Sequence, residues 1–125
     1  MIRTGVDEVA TIAGVSSRPF GIATGERGVW VGDFAGSTVT RLDPDTRKTV
    51  ATIDVPKHDG FQSGVFALAV GAGGVWVPNR YAFELVRINP RTNAVAARIR
   101  LPYSPSSVAV TGGAVWVAVS DRNPD

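Results

Sequence analysis

One short unit occurs three times in this chain. Gly28-Val29-Trp30-Val31 returns as Gly74-Val75-Trp76-Val77 and again as Ala114-Val115-Trp116-Val117, and these hold all three tryptophans of the 125 residues. The tryptophans are spaced 46 and 40 residues apart. Recurrence at a fixed period of that size marks a repeat architecture, in which one unit cannot bury its apolar face without a neighbouring copy.

The duplication extends well beyond the tryptophan. Trp30–Pro56 superposes on Trp76–Pro102 without a gap, and 8 of the 27 positions are identical, among them Arg41/Arg87, Pro44/Pro90 and Ala51/Ala97. No stretch keeps a 3.6-residue apolar period, while 14 glycines and 8 prolines punctuate short apolar runs. That pattern reads as strands joined by turns.

Each unit divides into four strands. Strand A is Phe20–Thr24, Phe66–Val70 and Ser107–Val110, and a Gly-rich hairpin leads from it to strand B, the V-W-V core. Glycine suits such hairpins because two-residue loops need positive φ. Strand C is Thr38–Leu42 and Glu84–Ile88, followed by the turns Asp43-Pro44-Asp45-Thr46 and Asn89-Pro90-Arg91-Thr92. Proline presets φ there, and the preceding Asp or Asn can bond the backbone two residues on. Strand D is Thr49–Val55 and Val95–Leu101.

Four strands in roughly 40–45 residues is the period of a propeller blade. The expectation is an all-β propeller arc of just under three four-stranded antiparallel blades, about 11 strands. A single repeat domain would span residues 1–125: strand D at 6–14, blades at 19–56 and 65–102, and strands A and B at 106–119. Trp30, Trp76 and Trp116 are expected to fill the gaps between blades, with Arg41 and Arg87 in structural inter-blade roles. Three blades do not close a ring, so other copies of the chain, or further sequence, are expected to complete it.

Composition narrows the function classes. The 13 basic and 11 acidic residues leave a formal charge of +2, and the basic residues form no run. A nucleic-acid or membrane partner is therefore not expected. There is no cysteine, so neither disulfides nor thiolate metal sites arise. No apolar h-region or 20-residue apolar span stands in the chain, which is expected to be soluble and without a signal peptide, its compartment open.

In propellers the D–A and B–C loops share one rim. That groups Asp33, Phe34, Asn79, Arg80 and Tyr81 with His58, Asp59 and Gln62 as candidate ligand-binding residues. The D–A segment between Pro56 and Ala69 is six residues longer than its counterpart between Pro102 and Ala109, and such extra length is where repeats add function. His58-Asp59 is a candidate half of a metal or acid–base site, against the alternative of an exposed loop. Asp33 and Asn79 either line a pocket or hold their own loops as Asx turns do.

The pattern G-V-W-V-x-(D/N), R-(L/I)-(D/N)-P-x-T and V-A-x-I-x-(V/L)-P resembles YVTN/YncE-like propeller repeats and the related streptogramin (virginiamycin B) lyase propellers. The resemblance runs from Val9 to Val119. It implies a propeller fold and, for the lyases, a seven-bladed ring that opens a cyclic antibiotic ester with a metal-assisted His/Glu site. Their repeats commonly place Glu three residues after the strand-B aromatic. Here that position is Asp33, Asn79 and Val119, and the single histidine is His58. The leading expectation is a non-enzymatic scaffold that binds a protein or small molecule through its rim loops, with no cofactor, no metal and no catalytic residue assigned. The alternatives are a metal-assisted lyase or hydrolase and a propeller fragment without independent activity.

Overall fold

The computed structural model describes residues 18–34, 36–56 and 64–120. They form three antiparallel sheets. The first holds β1 (Pro19–Gly25), β2 (Gly28–Asp33), β3 (Thr38–Leu42) and β4 (Thr49–Asp54) in that spatial order. The second holds β5 (Ala69–Gly71), β6 (Gly74–Asn79), β7 (Glu84–Asn89) and β8 (Ala94–Arg100), again in chain order. The third pairs β9 (Pro105–Thr111) with β10 (Ala114–Val119). The expected strand D at 6–14 lies outside the described residues, so ten of the eleven expected strands are seen. One 3-10 turn, Arg80–Ala82, interrupts the second B–C loop. No helix among the described residues is long and apolar enough to cross a membrane.

Each sheet is a meander whose register repeats. Ala23, Trp30, Arg41 and Ala51 are successive cross-strand partners in the first blade, and Ala69, Trp76, Arg87 and Ala97 are the same layer in the second. Ala109 faces Trp116 in the third pair. The alanine leaves room for the indole, and the arginine lies along its face. The arginine carbon Cζ is 4.8 Å from the ring centre of Trp30 and 5.7 Å from that of Trp76. Identical residues in the two copies are thus one structural layer.

The blades stack face to face. β1 lies against β5, and β5 and β6 against β9. Trp30, Val39, Ile53 and Val55 of the first blade form one core with Val65, Leu68, Val75, Val77, Val86 and Ile88 of the second. Trp30 is fully buried there. An indole covers roughly 150–250 Å², so its burial contributes about 4–6 kcal/mol at 25 cal/mol per Å². Two glycines permit this approach. A Cβ on Gly25 would stand 2.8 Å from Val70 Cγ1, and one on Gly71 would stand 2.8 Å from Val110 Cγ1. Both carry positive φ, 144° and 152°.

Two local expectations need correction. Strand A of the second blade does not run over Phe66–Val70. Only Ala69–Gly71 is laddered, preceded by a lone bridge between Val65 and Asn79. The equivalent place in β1 carries a register shift between Pro19 and Ile22. There Gly21 holds a φ of 85° beside Ala67 of the next blade. The ladder is interrupted at the same place in both copies, where Phe20 and Phe66 join the rim.

The first A–B hairpin also departs from the glycine rule. Its two positive-φ loop residues are Glu26 (48°) and Arg27 (60°), with glycine only at the flanks. In the second blade the same places are Ala72 (49°) and Gly73 (75°).

Candidate functional site: an aromatic rim

The B–C loops are pinned identically in each copy. Phe34 N donates to Arg18 O, Arg80 N to Gly64 O and Ser120 N to Ser104 O, at 3.0, 3.1 and 2.9 Å. Val55 N to Ser37 O and Leu101 N to Phe83 O tie the far end of the loop to strand D, both at 2.8 Å. These bonds bring the start of strand A beside the end of strand B and place their side chains on one rim.

On that rim four rings meet. Phe20 packs 5.7 Å from Phe34 and 5.5 Å from Phe66, centre to centre. Phe34 lies 4.9 Å from Phe66, and Phe66 meets Tyr81 edge-on at 6.1 Å. The Arg80 guanidinium sits 5.6 Å above the Phe66 ring. Tilted and edge-to-face contacts at these distances are favourable ring geometries, and an arginine over an aromatic face adds a cation–π attraction. The cluster draws on both blades, and Phe20 is 43% exposed.

The remaining candidates separate into two groups. Asn79 is only 1% exposed, and its Nδ2 donates to Pro56 O at 2.6 Å, tying strand B to the end of the preceding strand D. Its Oδ1 lies where a Cβ on Gly64 would stand, at 2.7 Å. Asp33 is buried as well, its carboxylate turned onto Gly36 of its own loop. His58, Asp59 and Gln62 lie outside the described residues. Among the described residues, no three His, Asp or Glu side chains converge as metal ligands would.

Phe34, Arg80 and Tyr81 are brought together, as a rim grouping requires. Phe20 and Phe66 were not among the sequence-derived site residues. Their signal was nonetheless present: they occupy the same repeat position, held by Ser106 in the third unit.

The other arginines and tryptophans work away from this rim. Arg41 Nη1 donates to Pro90 O and to Asn93 Oδ1 of the next blade, and Nη2 to Glu26 O and Arg27 O of its own hairpin. Its Nε is buried without a partner. Arg87 Nη2 donates to Gly73 O, within its own blade. The indole N–H groups of Trp30 and Trp76 donate to Gly25 O and Gly71 O, whereas that of Trp116 donates to Thr111 Oγ1. Trp76 is half-buried and Trp116 is 65% exposed. No blade covers Trp116 among the described residues.

Stacked four-stranded meanders with strand A innermost define the class: the chain is an arc of a β-propeller. The sheets do not close into a ring. The arc is similar to part of virginiamycin B lyase from Staphylococcus aureus, with a TM-score of 0.68 and 19% identity over 82% of this chain and 35% of that one. It is also similar to Kuenenia stuttgartiensis hydrazine synthase, with a TM-score of 0.70 and 20% identity over 90% of this chain and 33% of that one. Myxococcus xanthus glutaminyl cyclase matches with a TM-score of 0.60 and 17% identity over 81% of this chain and 50% of that one. The chain therefore spans about a third to a half of these propellers. At such identities the likeness concerns the fold. No family model and no curated protein sequence matches the chain.

Proposed function

We propose that the chain is a non-enzymatic propeller scaffold that binds a partner through the D–A/B–C rim. The observation that carries this reading is the Phe20–Phe34–Phe66–Tyr81 cluster capped by Arg80. Partly exposed rings are costly on a solvated rim, and Tyr, Phe and Arg are the residues that anchor protein and peptide partners. Copies of the same chain, or further chain, complete the ring. The exposed Trp116 beside the outer edge of β10 supports that part of the reading.

The test is selection of a displayed peptide library on the protein, with Phe34→Ser and Arg80→Ala as counter-targets. Peptides that bind the parent and lose at least tenfold affinity for both variants support the reading. Binders indifferent to both variants sink it. Opening of a streptogramin B ring by the chain, abolished in His58→Ala, would replace it with the lyase reading. Light scattering tests completion by copies: a mass of two or more chains supports it, and a single-chain mass at high concentration leaves completion to further sequence.

A further inference from the structure

The opposite rim carries a concentration of charge. A cleft of about 500 Å³ opens between the first and second blades, lined by Glu26, Arg27, Arg41, Pro90 and Arg91. It is built from the A–B hairpin of one blade and the C–D turn of the next. Three guanidiniums and one carboxylate leave it with a net positive charge.

Three features separate this cleft from an ordinary solvated turn. The first is backbone conformation. Glu26 and Arg27 both hold positive φ in a two-residue hairpin, where Asn or Gly would be easier. The same hairpin holds Ala72 and Gly73 at positive φ in the second blade, so the conformation belongs to the repeat, and what is particular here is that two charged side chains occupy it. The second is asymmetry between repeats. Glu26 and Arg27 correspond to Ala72 and Gly73, and Arg91 corresponds to Asp45, so the charge is not a by-product of the repeat. The third is rigidity. Arg41 spans the cleft floor with bonds to Glu26 O, Arg27 O, Pro90 O and Asn93 Oδ1, which fixes both walls. Arg27 and Arg91 are exposed and make no side-chain bond among the described residues, so their donors face solvent or ligand there.

We propose that this inter-blade cleft is a binding site for a small polar metabolite bearing an oxyanion, held in bidentate fashion by Arg27 and Arg91. The planar forks of arginine match phosphate and carboxylate oxygens alike. The volume falls in the range of small-molecule sites and exceeds what a bare inorganic ion needs. Glu26 opposes the anion and tunes its affinity.

The experiment is calorimetric titration with inorganic pyrophosphate and with citrate, each at matched ionic strength set by sodium chloride. Saturable binding of either probe is expected, weakened at least tenfold in Arg27→Ala and in Arg91→Ala and tightened severalfold in Glu26→Gln. Pyrophosphate alone binding assigns a phosphorylated ligand, and citrate alone a carboxylate. Heats that chloride reproduces, or affinities unchanged in both arginine variants, overturn the proposal. Unaltered circular dichroism of the variants separates lost binding from lost folding.

Discussion

Arg41 in the first blade reaches Asn93 in the second, Nη1 to Oδ1, over 2.8 Å. The same guanidinium lies over Trp30 and closes the hairpin that begins its own blade. One side chain thus couples ring, hairpin and neighbouring blade. Its repeat equivalent, Arg87, bonds only its own hairpin among the described contacts, because the C–D turn of a following blade is what Arg41 uses.

Arg41→Lys is therefore expected to lower stability by about 1–3 kcal/mol, since an ammonium cannot serve both walls and the ring. Arg87→Lys should cost less than half as much. Urea unfolding of the two variants measures the difference, and equal losses would contradict the inter-blade role of Arg41.

Gly25→Ala should destabilise by about 2–3 kcal/mol, because the new methyl meets Val70 at 2.8 Å and φ is 144°. Adding Val70→Ala should recover part of the loss by removing the clash but not the strain. A double variant no more stable than Gly25→Ala would show that conformation alone is responsible.

Arg47 carries φ of 63° at the place where the second blade has Asn93, at 55°. Asparagine adopts this region more readily, so Arg47→Asn is expected to raise stability by about 0.5–1 kcal/mol. A melting temperature at or below that of the parent would count against it.

Asp43 accepts from the backbone N–H groups of Asp45 and Thr46, at 2.7 and 3.1 Å. The Thr46 bond first, then that of Asp45, holds its carboxyl below the ordinary carboxylate value. A group depressed on folding stabilises above its unfolded pKa and loses that contribution as pH falls through the folded one. The stability gap between the parent and Asp43→Asn should hold from neutral pH to about pH 4 and shrink in more acid solution. A gap constant down to pH 2 would exclude the effect.

Much of the architecture was legible because it depends on local pattern. The Asp43 and Asn89 turns follow from side chains that bond the backbone two residues on. The aromatic rim was legible only in part. Phe34, Arg80 and Tyr81 sit in B–C loops and were found by loop position. Phe20 and Phe66 read as strand residues, and both stand where the ladder of strand A is interrupted. For Asp33 and Asn79 the linear pattern left a pocket role and a loop role open, and the structure places both side chains in buried contacts with the backbone around their loops. The basic cleft shows in the sequence only as a charge asymmetry between repeats, because Arg27 and Arg91 are 64 residues apart and line one cleft only when one blade stacks on the next.

The V-W-V units illustrate the division most clearly. Their sequence alone determined the repeat and most of the strands, since these follow from alternation, turn chemistry and spacing. It did not determine how each tryptophan is used. Trp30 is fully buried, Trp76 is half-buried and Trp116 is 65% exposed, in nearly identical local settings. Burial is a property of what stands on the other side of the sheet, and only the stacking of one blade on another decides that.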